Sequence, residues 1–294
     1  MAIEPFRHGV VNGADSITGI VQAAMSRTPD PRLKEIMASL VRHLHAFVKE
    51  TRPSEEEFEI AVDFLVRLGQ ASGPEKNEVI LACDLLGLST LVVTLNNPEG
   101  AGKTDAALLG PFWRAASPEC AAGDSIARDS RSGELLVVAG RVTDPAARPV
   151  EDAVVDVWQA SPVGLYENQD SQQPDHNLRG RFRTDDRGKF HFRTVKPAGY
   201  PVPTDGPCGE LLRAQARHPF RPAHIHFMIS REGYRTLVTQ VFDNADAAIE
   251  SDAVFGVTPA LSGDFARQRD GTFRLDYDFV LQPGERRIPR PPLP

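Results

Sequence analysis

Arg221-Pro222-Ala223-His224-Ile225-His226-Phe227-Met228-Ile229 carries two patterns at once. Side chains alternate between the faces of a β-strand, so residues two apart point the same way. Read as a strand, Ile225, Phe227 and Ile229 fill a core face, while His224 and His226 project together from the other. Two imidazoles side by side on a rigid strand make half of a metal site. The same spacing also arises when two unrelated polar residues lie on an exposed face, and the pair alone does not separate the two readings.

Outward from this stretch, short apolar runs recur between turn signals. Glu134–Val142, Ala153–Gln159, Lys189–Val195, Ala223–Ile229 and Thr236–Phe242 read as strands. Asp144-Pro145, Asp186-Arg187-Gly188 and Asp205-Gly206 read as turns. Most of the 24 prolines and 23 glycines lie beyond residue 105. Many short strands with frequent turns predict an antiparallel sandwich or barrel. Arg179, Arg181 and Arg183 alternate, which predicts a solvated strand face. The Pro- and Arg-rich tail Arg286–Pro294 is expected to lie extended on the surface.

The first third has a different period. Leu33, Ile36, Met37, Leu40, Val41, Leu44, Phe47 and Val48 form one helical stripe after Pro31. Ser54 and Glu57 have capping-box spacing, and Phe58, Ala61, Val62 and Leu65 form a second stripe. A third apolar segment runs from Val79 to Leu95 and stops at Asn96-Asn97-Pro98-Glu99-Gly100. The chain is therefore expected to be α+β and mainly β. A helical N-terminal domain spans 1–106, and an antiparallel β domain spans 107–294.

Composition narrows the classes. The 294 residues are 41% hydrophobic, which is ample for a buried core, and the net charge of −7 argues against a nucleic-acid binder. Three cysteines without CxxC spacing fit neither a disulfide framework nor a zinc ribbon. No apolar run has the length of a signal peptide or a membrane span, so a cytoplasmic protein is expected.

His43 and His45 fall on different faces of a helix, and His8, His176, His191 and His218 have no ligand-like neighbour in sequence. No Asp or Glu stands beside His224 and His226 to complete a two-histidine, one-carboxylate site. Among the four tyrosines, Tyr166 lies in the loop Ser161–Asp170 and Tyr200 in a Gly199-Tyr200-Pro201 turn. Loops often carry functional side chains, yet composition alone reads both as packed aromatics.

Three segments then connect these residues by resemblance. Pro149–Asp170, with Val154-Val155-Asp156-Val157-Trp158-Gln159-Ala160 and Gly164-Leu165-Tyr166, resembles the first ligand motif of the intradiol ring-cleavage dioxygenases. Leu178–Pro207 resembles their second motif, and His218–Ile229 their third. Order and spacing agree, and the helical N-terminal part matches the catechol-type branch. The resemblance implies a β-sandwich catalytic domain with Fe(III) held by Tyr166, Tyr200, His224 and His226. It also places Arg221 and Gln240 beside the substrate. Two phenolates and two neutral imidazoles suit ferric iron and leave room for a further ligand. Tyr200 would leave the metal to accept a substrate proton, and Arg221 would stabilise negative charge on a substrate carbon. The helical part would form a homodimer, with phospholipid held between helical parts in some members.

Within the family, three stretches resemble the hydroxyquinol 1,2-dioxygenase branch. They are Leu81-Ala82-Cys83-Asp84-Leu85-Leu86-Gly87, Leu109-Gly110-Pro111-Phe112-Trp113, and Gly199–Pro207. By that analogy Leu81, Leu108, Leu109, Gly110, Pro111 and Phe112 line the pocket, with Val202, Pro203, Arg221 and Val254. Asp84 would accept a hydrogen bond from the third hydroxyl of benzene-1,2,4-triol, although a capping or solvent-facing helix carboxylate is its plainer reading. The position of Leu109 is often aromatic in the family, which bears on pocket width. Two rivals stay open at this point: a catechol or chlorocatechol 1,2-dioxygenase, and a transthyretin-like binding module without chemistry.

Overall fold

The structure is a computed structural model that describes residues 7–73, 76–97, 102–129 and 133–292. It contains two compact units, Met1–Leu65 and Val66–Pro294. The boundary falls within the helix Glu55–Gln70, so the short helices Glu78–Leu85 and Leu88–Asn96 belong to the second unit with the strands.

The helices are α1 (Ile17–Ala24), α2 (Pro31–Thr51), α3 (Glu55–Gln70), α4 (Glu78–Leu85), α5 (Leu88–Asn96) and α6 (Pro207–Ala214). The Asp30 carboxylate caps α2 by accepting from the Arg32 and Leu33 amides, and Pro31 occupies its first turn. The expected capping box precedes α3. Ser54 N–H donates to Glu57 at 2.7 Å, and Glu57 N–H donates to Ser54 Oγ at 3.1 Å. The run Val79–Leu95 is not one helix. Gly87 adopts φ +70, and α4 and α5 meet there at 76°. Pro98, Glu99 and Gly100 of the expected stop lie outside the described residues. Among the described residues no single helix is long and apolar enough to cross a membrane.

The strands are β1 (Leu135–Thr143), β2 (Val154–Gln159), β3 (Arg179–Arg183), β4 (Lys189–Val195), β5 (Tyr200–Pro201), β6 (Phe220–Arg221), β7 (His224–Ser230), β8 (Leu237–Asp243), β9 (Ser262–Gly263), β10 (Ala266–Arg267), β11 (Phe273–Asp276) and β12 (Phe279–Val280). One five-stranded sheet runs β10-β11-β1-β12 with β4 also on β1, a second runs β3-β2-β7-β8-β9, and β5 and β6 form a separate two-stranded ladder. The inner faces of the two five-stranded sheets share one core, in which Phe192 stacks on Phe182 at 5.0 Å and Phe227 lies 4.8 Å from Phe279. This is a sandwich and not a closed barrel. The long pairings are antiparallel as expected, but β1 meets β11 and β12 in parallel, and β8 meets β9 in parallel. These C-terminal strands return to the sheets by crossover, so the sheets are mixed.

Two local expectations are corrected. Asp205-Gly206 is not a turn between strands; it leads into α6, whose first residue is Pro207. The arginine row on β3 is not a solvated face. Arg179 is fully buried, Arg181 partly so, and only Arg183 is exposed. The loop bearing Glu167 covers the Arg179 end, and its carboxylate accepts from Arg179 Nε at 2.6 Å.

Candidate active site and metal centre

β7 is buried along its whole length because it is the middle strand of its sheet. Ile225, Phe227 and Ile229 enter the sandwich core, as alternation predicts. His224 and His226 face the other side. There β2 and β8 place Trp158 and Gln240 directly beside His226, and Phe242 beside His224. Trp158 stacks on the His226 ring at 4.8 Å and 11°.

Two loops close over this face. Gly164 at φ +82 lets the Tyr166 loop approach Tyr200, since a Cβ there would stand 2.9 Å from Tyr200 Cβ. The short β5-β6 ladder pairs Tyr200 with Arg221. As a result, four donor atoms converge in a ring. Tyr166 Oη is 3.3 Å from Tyr200 Oη, and Tyr200 Oη is 3.3 Å from His224 Nε2. His224 Nε2 is 3.2 Å from His226 Nε2, which is 3.1 Å from Tyr166 Oη. Donors bound at about 2.0–2.2 Å to one metal lie roughly 3 Å apart, so this spacing suits a shared cation.

Hydrogen bonding prepares the set. His224 Nδ1 donates to the Pro222 carbonyl at 2.7 Å, which leaves the Nε2 lone pair facing the ring centre. Gly110, at φ +73, packs against His226, where a Cβ would stand 3.1 Å from Cε1. Burial holds His224 down to about 3, helped by the Arg221 charge, and holds His226 well below the usual imidazole range. Both rings are thus neutral and able to ligate. Burial pushes the Tyr166 phenol up, and the neighbouring Tyr200 adds to the shift. Its ionisation therefore calls for a cation close by.

Beside the ring, Arg221 is buried. Its Nε donates to Asp252 Oδ1 at 3.1 Å, one terminal nitrogen donates to Gln240 Oε1 at 2.9 Å, and the other lies 3.3 Å from His224 Nε2. Gln240 also donates to the Leu108 carbonyl at 2.6 Å, so it orients Arg221 and the pocket wall and does not itself line the cavity. A cavity of about 730 Å³ opens onto Tyr200 and Arg221. Leu81, Asp84, Leu108, Gly110, Pro111, Phe112, Val202, Pro203 and Val254 line it. Leu109 does not; the chain turns at Gly110, and Leu109 packs against the cluster around Trp113 and Trp158. No local motif marks Asp252 or Arg114 in the sequence, and Trp158 stands there only as part of the Val154–Ala160 motif, without a role of its own.

Within the second unit His191 and His218 are exposed, and within the first His43 is exposed and His45 bonds Thr18 at 3.0 Å. Glu167, Asp175 and His176 approach one another closely enough to suit a cation, but Arg114 and Arg179 already neutralise that group.

Residues 109–283 match the family described as dioxygenase, and residues 30–104 match the catechol dioxygenase N terminus. The chain belongs to the intradiol ring-cleavage dioxygenases. It is 47% identical over 268 residues to 6-chlorohydroxyquinol 1,2-dioxygenase of Cupriavidus pinatubonensis, covering 91% of this chain and 97% of that one. It is 46% identical to hydroxyquinol 1,2-dioxygenase of a Rhizobium species, covering 89% and 92%. The structure of hydroxyquinol 1,2-dioxygenase from Pseudomonas putida superposes with a TM-score of 0.87 at 40% identity, covering 92% and 99%. The non-catalytic binding module is thereby set aside.

Intradiol dioxygenases use non-haem iron, and the buried ring of two phenols and two neutral imidazoles in this dioxygenase fits that metal. One consequence concerns the iron-free protein. His224 and His226 have folded pKa values below the unfolded value of about 6.5. Their contribution to stability is present above that value and is lost as pH falls toward the folded values. Asp156 has the opposite sign. Burial raises its carboxyl to about 6, so its contribution is present below about 3.8 and lost as pH rises through 6. The urea midpoint of iron-free protein should therefore fall between neutral pH and pH 4. It should fall more steeply in Asp156→Asn, which lacks the opposing contribution; an equal or shallower slope would contradict the assignment.

Proposed function

We propose that this dioxygenase holds Fe(III) through Tyr166, Tyr200, His224 and His226 and cleaves hydroxyquinol (benzene-1,2,4-triol). Cleavage with dioxygen falls between the two adjacent hydroxyl-bearing carbons and gives 3-hydroxy-cis,cis-muconate, a tautomer of maleylacetate. When bound, ferric iron supplies a Lewis acid for the two vicinal oxygens and draws electron density from the ring, which makes it reactive toward dioxygen.

The protein side chains do the rest. Tyr200, on the cavity wall, accepts a proton from a substrate hydroxyl at its Oη. Arg221, locked by Asp252 and Gln240, presents positive charge where the ring carbon becomes negative. Leu81, Leu108, Pro111, Phe112, Val202 and Val254 form an apolar wall that excludes water and fixes the ring plane.

The observation that carries the substrate assignment is Asp84, a carboxylate lining the same cavity as Arg221. Burial raises its pKa, with Ser89 and Arg221 pulling the other way. A carboxylate in such surroundings gains from a hydroxyl donor on the ring beyond the bond it takes from Ser89, and a substrate lacking that hydroxyl forgoes the added bond. The relatives named for hydroxyquinol substrates support the same choice. Asp84→Ala should lower kcat/KM for hydroxyquinol relative to catechol by about tenfold or more, equivalent to roughly 1.4 kcal/mol. Parallel assays on hydroxyquinol, catechol and 4-chlorocatechol measure this, and an unchanged ratio would sink the role of Asp84.

We assign the functional boundary near residue 106, with a helical dimerisation domain before it and the catalytic sandwich after it. Within the first unit, the α2 stripe of Leu33, Ile36, Leu40, Leu44 and Phe47 remains exposed, which supports a homodimer face that could also hold phospholipid. A cytoplasmic location accords with the free cysteines Cys83, Cys120 and Cys208.

A further inference from the structure

Directly behind Tyr166 lies an ion pair that the reaction does not use. Arg179 and Glu167 have side chains only 1% and 2% exposed, and Arg179 Nε donates to Glu167 Oε1 at 2.6 Å. Glu167 follows Tyr166 in the chain, so the pair ties the Tyr166 loop to β3. Arg114, which lines the cavity, donates to the same Oε1 at 2.9 Å. The Tyr166 amide donates to Gln169 Oε1 at 3.1 Å, and Phe112 stacks on the ring at 4.5 Å. The Arg179 guanidinium carbon stands 6.0 Å from the centre of the Tyr166 ring, at the reach of a cation–π contact. One guanidinium nitrogen of Arg179 and the second oxygen of Glu167 are buried and unpartnered. The group is therefore held in place at a desolvation cost that a loop anchor alone does not explain.

We infer that Arg179 and Glu167 are positioning residues for Tyr166, and that their opposed charges set the electron density of its phenolate. The inference rests on the reading that Tyr166 binds iron. A positive charge beside the ring lowers the energy of the phenolate electrons; a negative charge raises it. A buried pair acts more strongly than an exposed one because solvent screens it less.

Tyrosinate-to-iron charge transfer gives a visible band whose energy reports this balance. Arg179→Met removes the cation, so the band of the iron-loaded enzyme should move to longer wavelength. Glu167→Gln keeps a hydrogen-bond acceptor for Arg179 but removes the anion, so the band should move to shorter wavelength. Arg179→Lys, which keeps the charge, should lie nearest wild type. A purely structural anchor predicts that the first two variants shift the same way or only lose iron. If a variant fails to load iron, the double variant Arg179→Met with Glu167→Gln, in which both charges are absent, is measured against the remaining single variant. Removing the cation in the Glu167→Gln background should still move the band to longer wavelength. A common direction, or no shift in loaded protein, overturns the inference. A wild-type protein that takes up iron without any such band overturns the ligand reading instead.

Discussion

Replacing His226 by alanine should abolish iron binding, the visible band and turnover together while leaving the fold intact. His226 contributes one of four donor atoms, and its neighbours in the ring stand 3.1 and 3.2 Å away. Without it the remaining three donors leave a gap on the sheet side, where Trp158 offers no ligand. The core should tolerate the change, because Ile225, Phe227 and Ile229 occupy the opposite face of β7. No hydrogen bond is lost at Nδ1, which is buried and has no partner. We expect iron content near background and a fall in kcat of at least about 1000-fold, equivalent to roughly 4 kcal/mol. Metal analysis, the visible spectrum and circular dichroism are the measurements. His191→Ala, on an exposed residue of β4, serves as the control and should keep iron and colour. If His226→Ala retained stoichiometric iron and its band, the four-ligand centre would be wrong.

The histidine pair was legible because strand alternation and a core-forming face are local properties. Ile225, Phe227 and Ile229 determine which way His224 and His226 point, and no distant residue can reverse that without emptying the core. The tyrosines are different. Tyr166 and Tyr200 reach the histidines only because β2 lies against β7 and β5 lies against β6. Strand pairing across such separations leaves no trace in spacing, so only the family resemblance joined them. The same limit hid Asp252. A buried arginine calls for an acid, but the sequence does not say which of 40 acidic residues answers Arg221. Charge alternation misled at Arg179, since the burial of a strand face depends on what covers it. Leu109 stands apart from its expected place for a backbone reason: Gly110 at φ +73 redirects the chain, and such a turn moves a side chain from one cavity wall to a neighbouring cluster.

Arg221→Met should test the proposed catalytic role of Arg221 against its pairing with Asp252. In the folded protein Asp252 is 6% exposed, and Arg221 supplies its only opposite charge at hydrogen-bond distance among the described residues. Removing the arginine leaves a buried anion, which costs about 3–5 kcal/mol of stability. Turnover should fall as well, by about 100- to 1000-fold, because a fixed positive charge no longer meets the developing carbanion. Loss of both quantities in one variant would not tell a structural role from a catalytic one. The double variant with Asp252→Asn does, since it removes the stranded charge while keeping a polar group near the Gly256 amide, which Asp252 accepts from at 2.9 Å. Most of the lost stability should return, read as the urea midpoint, while kcat stays near that of Arg221→Met. Recovery of turnover along with stability would reduce Arg221 to the partner of Asp252. Persistence of the kinetic defect in a stable protein assigns the guanidinium to the reacting ring, because pairing and catalysis draw on the same charge but only one of them can be replaced by neutralising the acid.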